Sequence, residues 1–265
     1  MRLVSIASGS SGNVTYIGSE ETHLLVDAGI TNKRIEQGLN SLELSGRDLT
    51  GLLLTHEHAD HVKGLNVLVR RSEVPVYATE GTLRALEKAG QLAGIPRELL
   101  HEIRAEESFR IGDIEVLPFS IDHDAAEPVA YRLECGEKKA AVATDLGHYT
   151  ELIAEHLKGL DALLLESNHD VRMLEAGPYP YPLKRRILGN FGHLSNENAG
   201  RLLAEVLHDG VKEIFLGHLS KENNLPELAY ETVRQEITAA ACPYRGDDFR
   251  IRVAKRDTVS EVCVF

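Results

Sequence analysis

Six consecutive residues, His56-Glu57-His58-Ala59-Asp60-His61, bring three imidazoles and a central carboxylate into one short stretch of chain. Imidazole is the commonest metal ligand near neutral pH, and carboxylate oxygen also suits zinc or manganese. In an extended or tightly turning loop the spacing of two aims His56 and His58 the same way. Asp60 and His61 then turn toward a neighbouring position, so one loop can supply two ligands to each of two adjacent ions. A purely structural role for such a cluster is the weaker reading.

A loop of ligands needs a rigid base. Residues 51–54, Gly-Leu-Leu-Leu, predict a buried strand ending at Thr55, and the chain from Asp60 to about Arg71 predicts a helix. Residues 3–7, 14–17 and 23–26 read as three short β-runs followed by Asp27-Ala28-Gly29, and 32–39 as a helix. Residues 114–119 alternate like a strand. Residues 129–134 and 138–144 flank the turn Cys135-Gly136-Glu137 as a hairpin. Residues 160–166 and 213–217 are further apolar strands, and Ser195 is a plausible N-cap for a helix to about His208. Four strands thus deliver a ligand-type residue at or just past the C-terminal end: His56, His123, Asp145 and His218. Loops on a rigid sheet are where ligands converge.

Composition bounds the rest. With 265 residues, 43% hydrophobic and 26% charged, the chain reads as one large soluble α/β domain spanning 1–265. It lacks an N-terminal apolar run suited to a signal peptide and any stretch near the roughly 20 apolar residues of a membrane span. Cys135, Cys242 and Cys263 are odd in number and widely spaced. That excludes a disulfide framework and a thiolate zinc site, and fits a reducing cytoplasm. The formal net charge of -12 argues against a general nucleic-acid binder. It leaves room for a phosphodiester substrate, because bound divalent ions reverse the sign of a site locally.

The pattern H-x-H-x-D-H after a buried strand, here His56, His58, Asp60 and His61 with Thr55 before it, resembles the metallo-β-lactamase fold superfamily. Its later ligands find matches in order: His123 in Ser120-Ile121-Asp122-His123-Asp124, Asp145 in Ala143-Thr144-Asp145-Leu146-Gly147, and His218 in Leu216-Gly217-His218-Leu219-Ser220. Asp27 matches an early aspartate that braces the histidine loop. The resemblance implies an α/β (α+β) fold, the four-layer αββα sandwich of that superfamily, with two divalent ions, zinc or manganese. One ion would be held by His56, His58 and His123 and the other by Asp60, His61 and His218, with Asp145 bridging. Two ions roughly 3.5–4 Å apart can share a water, lower its pKa and stabilise charge on attacking and leaving oxygens.

The substrate side is read from 166–200. Gly192-His193-Leu194-Ser195 resembles a motif of the phosphodiesterase branch in which an upstream glutamate pairs with the histidine; Glu166 stands in that place, without the flanking histidine and threonine. Asp60, Glu166 and His193 are therefore the expected catalytic residues, with Glu166 orienting His193 as proton donor to the leaving oxygen; a helix-capping role for His193 is the alternative. More narrowly the sequence resembles the YycJ/WalJ-type subfamily, regarded as DNA exonucleases. This rests on 7–13, on Glu166-Ser167-Asn168-His169-Asp170, on the Pro/Tyr/basic stretch 177–189 and on 218–224. Asn168 and His169 join the substrate side by that resemblance. Tyr179 and Tyr181 offer stacking faces, Lys184, Arg185 and Arg186 positive charge, and Pro178, Pro180 and Pro182 stiffness, as single strands or frayed ends require. A proline-pinned loop with solvated basic residues is the competing reading. Ser10, Ser11 and Asn13 lie in a segment that either presents N–H groups to a phosphate or makes a tight turn. DNA is the expected substrate. A small phosphodiester, thioester or lactone, or a non-catalytic metal-binding scaffold, are the alternatives.

Overall fold

The computed structural model describes residues 1–265. Two seven-stranded mixed sheets face each other. The first contains β1 (Arg2–Ala7), β2 (Val14–Gly18), β3 (His23–Val26), β4 (Gly51–Leu53), β5 (Val76–Thr79) and β6 (Leu100–Ile103), with β14 (Cys263–Val264) on the edge beside β1. The second contains β7 (Phe109–Ile111), β8 (Ile114–Ser120), β9 (Val129–Cys135), β10 (Lys138–Ala143), β11 (Ala162–Glu166), β12 (Glu213–Gly217) and β13 (Ile251–Val253). Strands β3 to β6 are mutually parallel, as are β10 to β13, and the remaining pairs are antiparallel.

Period-two alternation explains the layering. Leu24, Val26 and Leu53 point between the sheets to meet Val116, Val142, Leu164 and Phe215. Their neighbours Leu25, Leu52 and Leu54 point outward onto a helical layer carrying Ile35, Leu39, Leu65 and Leu68. On the far side Leu163, Leu165, Ile214 and Leu216 face Ile153, Leu202, Leu203 and Val233. The central strands are apolar on both faces because both faces are covered, which is why they read as continuous runs. Three apolar interfaces make four layers, αββα. No helix is long and apolar enough to cross a membrane.

The local expectations differ from the structure in two places. The predicted helix 60–71 is two helices, Ala59–Val62 and Leu65–Ser72, broken at Lys63-Gly64. Gly64 sits against the Ile30 carbonyl so closely that a Cβ would lie 2.2 Å from it, and packing overrides the helical periodicity there. The Pro/Tyr/basic stretch is a helix, Tyr181–Leu188, with Pro182 in its first turn, where a missing N–H costs nothing.

Candidate metal centre

Strand ends from both sheets meet at one edge of the sandwich. Asp27 follows β3, His56 follows β4, His123 follows β8, Asp145 follows β10, Glu166 ends β11 and His218 follows β12. Asp27, Asp145 and His218 have φ of 63°, 61° and 55°, the left-handed region. Such backbone costs on the order of 1–3 kcal/mol for a non-glycine residue, and here it turns each side chain inward just as its strand stops. Tyr131 fixes the floor: it is buried between the sheets and its hydroxyl donates to the Leu54 carbonyl (2.6 Å), while Val129 N–H donates to the Thr55 carbonyl (3.0 Å). The end of β4, where the histidine loop begins, is thereby tied to the second sheet.

Each inward imidazole is oriented by a partner on its far nitrogen. His61 Nδ1–H donates to Asp27 Oδ2 (2.7 Å). His123 Nδ1–H donates to the Gly192 carbonyl (3.0 Å), and His218 Nδ1–H to Glu166 Oε1 (2.7 Å). Thr55 Oγ1 donates to the Asp27 carboxylate and accepts from His56 Nδ1–H (3.0 Å). These pairings use Nδ1 in each ring, and they aim four Nε2 atoms into the same space. His56 Nε2 is buried with no hydrogen-bond partner at all. His123 Nε2 lies 3.3 Å from His58 Nδ1, and His218 Nε2 lies 3.3 Å from Asp60 Oδ2.

The donor atoms fall into groups that fit cations. His56, His58 and His123 form one group within 4.8 Å of one another, and Asp60, His61 and His218 form another. His56, His61 and Asp145 form a third that joins the two, and Asp145 Oδ2 stands 3.1 Å from His61 Nε2. Nitrogen and carboxylate donors in these numbers suit a divalent transition metal. The structure thus brings together all seven sequence-predicted ligands, His56, His58, Asp60, His61, His123, Asp145 and His218, from across the chain.

Electrostatics point the same way. Burial holds His56 and His123 below the ordinary imidazole range, so they present lone pairs. Burial would also lower His218, but the Asp145 charge and the hydrogen bonds to Asp60 and Glu166 bring it to about 10. The centre therefore attracts positive charge, although the chain as a whole is acidic.

Glu166 and His193 adjoin this cluster. Glu166 is fully buried. Its Oε1 accepts from His193 Nδ1 (2.9 Å), and its Oε2 accepts from the N–H groups of Leu146 (2.7 Å) and Leu194 (3.1 Å). Burial alone would raise the carboxyl; the charge and hydrogen bonds of His193 and the hydrogen bond from His218 bring it down to about 2. The His193 ring centroid is 5.1 Å from that of His123 and 5.2 Å from that of His218. Pairing uses Nδ1, so Nε2 is left for a substrate or water, and the side chain keeps 19% exposure.

The other substrate-side residues separate. Ser10 and Ser11 are exposed, while Asn13 is buried against the metal centre, its Nδ2 3.1 Å from His61 Nε2. Tyr181 is exposed and Tyr179 half-buried. Lys184 donates to the Glu175 carbonyl, Arg185 is exposed, and Arg186 pairs with Asp124. Asn168 lies beneath the site. It is buried and its amide donates to the His218 carbonyl (2.8 Å), so it holds a ligand loop in place. His169 is likewise buried, with neither ring nitrogen partnered. Sequence reasoning missed Asp124, Tyr131 and the exposed Phe191 next to Gly192 and His193. The aspartate beside His123 was the only signal any of them gave.

Comparison with known proteins agrees with this geometry. Residues 22–218 match the family described as the beta-lactamase superfamily domain. The chain is 44% identical to the exodeoxyribonuclease YycJ of Bacillus anthracis over 88% of its length and 87% of that protein. It is 38% identical to the exodeoxyribonuclease WalJ of Streptococcus pneumoniae serotype 2, covering 96% and 94% of the two chains. Among solved structures it superposes on Zn(2+)-bound PqqB from Methylobacterium extorquens with a TM-score of 0.72 at 20% identity, over 98% and 100% of the chains, which speaks to fold alone. The chain belongs to the metallo-β-lactamase fold superfamily and, within it, to the group of YycJ and WalJ.

Proposed function

We propose that this protein is a metal-dependent exodeoxyribonuclease. The observation that carries the hydrolytic reading is the convergence of the oriented histidine donors beside the Glu166–His193 pair. The nucleic-acid reading draws on the two relatives named exodeoxyribonuclease, which match nearly the whole chain.

Two divalent ions, zinc or manganese, are the expected cofactors, held by the seven ligands above with Asp145 between the two groups. When bound, such a pair supplies a water ionised near neutral pH and Lewis acidity toward a phosphate. The chain's own residues do the rest. Glu166 fixes His193 with Nε2 outward and balances the charge of its imidazolium. His193 donates that proton to the oxygen leaving the scissile phosphorus, a role worth about 10²–10⁴-fold. Asp60 joins the ligand loop to His218 across 3.3 Å and positions the second group of donors.

The surface beside His193 suits DNA. Tyr181 and Phe191 are 72% and 59% exposed, a large apolar face for either ring; Tyr181 opens the helix Tyr181–Leu188 that carries Lys184, Arg185 and Arg186, and Phe191 follows its end. Aromatic faces interleaved with cations are the means by which single strands are held without sequence preference.

The test is cleavage of end-labelled single- and double-stranded DNA, RNA and bis-p-nitrophenyl phosphate with added zinc or manganese. Stepwise release of deoxynucleotides from an end is the expected result. Hydrolysis of the nitrophenyl ester with every nucleic acid intact would favour a small substrate instead, and no turnover with any metal would leave a scaffold.

A further inference from the structure

The mechanism leaves one cation beside the centre without a task. Arg256 lies on the C-terminal segment, far in sequence from the histidine loop. Its Nη2 donates to the carbonyl of Leu219 (2.6 Å), the residue after the ligand His218. Its Nη1 reaches the hydroxyls of Ser10 (3.4 Å) and Ser11 (3.3 Å). No carboxylate pairs with this guanidinium, whereas the neighbouring Asp257 is taken by Arg34.

The turn facing Arg256 is shaped around it. Gly9 has φ of 143°, and a Cβ there would come 2.7 Å from Arg256 Nη1. The backbone favours glycine, and a side chain there would push against the guanidinium. Ser8 Oγ accepts from His218 N–H (2.8 Å), and Asn13 N–H donates to the Asp60 carbonyl (2.8 Å), so both ends of the turn are fastened to ligand residues. Between them the N–H groups of Ser10 and Ser11 have no protein partner. A guanidinium without a carboxylate partner, two hydroxyls in its reach and a turn with two unpaired N–H groups thus lie together beside His218. Such a set matches a phosphate, which accepts from a fork and from a turn of N–H groups together.

We propose that Arg256, Ser10 and Ser11 seat a phosphate of the DNA strand other than the one being cut. This rests on the DNA reading above. The helix Tyr181–Leu188 packs beside His193, and this seat lies beside His218, so the strand is gripped on two sides of the scissile position.

The experiment is fluorescence anisotropy of a fluorescein-labelled oligothymidylate on the metal-free protein, titrated against salt, followed by kinetics on the same oligomer with manganese. Arg256→Gln should weaken binding roughly tenfold and flatten the salt dependence by about one unit of slope. KM should rise about as much, with kcat at saturation within about twofold. Arg256→Lys should keep the slope and recover part of the affinity, because it keeps the charge and loses the fork. Wild-type affinity and slope in Arg256→Gln would overturn the seat. So would equal weakening in both variants accompanied by a matching fall in thermal stability, which would make Arg256 a structural clamp on Leu219. Salt-dependent binding that weakens in Arg256→Gln, from a wild type that never releases nucleotides, would leave the seat standing and defeat the nuclease reading instead.

Discussion

Glu166 accepts from His218 Nδ1 at 2.7 Å through the same oxygen that holds His193 Nδ1. One buried carboxylate therefore positions at once an imidazole of the proposed ligand set and the imidazole proposed as proton donor. The two roles are separable by mutation. His193→Ala should lower kcat by about 10²–10⁴-fold and leave metal content unchanged. Glu166→Gln should lower kcat and also weaken metal binding by about 10–100-fold, because His218 loses its orienting partner. Metal content by plasma mass spectrometry and turnover on one oligonucleotide decide it. Loss of metal in His193→Ala would make that residue a ligand.

Asp27 is the corresponding brace on the other sheet. It accepts from Thr55 N–H (2.9 Å), Thr55 Oγ1 and His61 Nδ1, all from the histidine loop. Asn tolerates its left-handed backbone, so Asp27→Asn changes chemistry more than shape. The amide turns a donor toward donors. Unfolding in urea should show a loss on the order of 2 kcal/mol, and metal affinity should fall about 10–100-fold. Unchanged metal affinity would show that His61 is held by packing alone.

The sequence exposed the donors more fully than their supports. The histidine loop and the strand ends were readable because a strand buried on both faces leaves an unbroken apolar run that stops abruptly at a polar residue, as at Leu54-Thr55-His56. The layered fold came from the family resemblance, and periodicity supplied its strands. The tethering of β4 by Tyr131 was invisible, since a buried tyrosine in an apolar run looks like any other core residue. The double duty of Glu166 could not be read either, because 52 residues separate it from His218. The hydrogen bond from Asn168 to the His218 carbonyl was equally out of reach, because 50 residues separate the pair.

His169 predicts acid sensitivity. Burial holds its imidazole down to about 4, and neither ring nitrogen is partnered. The folded value lies below that of the unfolded chain, near 6.5. The unfolded state therefore binds the proton first, and the stability His169 contributes is present above that pH and lost as pH falls toward about 4. Urea unfolding of the metal-free protein at about pH 7 and about pH 5 should show this. In His169→Leu the drop in stability between the two should be smaller by about 2 kcal/mol. An identical drop in wild type and variant would show that His169 gains a partner or solvent.

Basic residues on the helix Tyr181–Leu188 should act as phosphate contacts without sequence preference. Lys184→Ala combined with Arg185→Ala should weaken oligonucleotide binding evenly across sequences and reduce the salt slope by about one to two. Arg186→Ala should do less, because Asp124 already neutralises that guanidinium at 3.0 Å. Anisotropy titrations at several salt concentrations measure both. A loss that depended on base sequence would place these residues against base edges.

The most direct test of the metal centre is anomalous diffraction from crystals grown with zinc or manganese. Two peaks per chain are expected, one enclosed by His56, His58 and His123 and the other by Asp60, His61 and His218, with Asp145 touching both. A single peak, or peaks that leave His123 and His218 without a metal, would contradict the paired-ion centre.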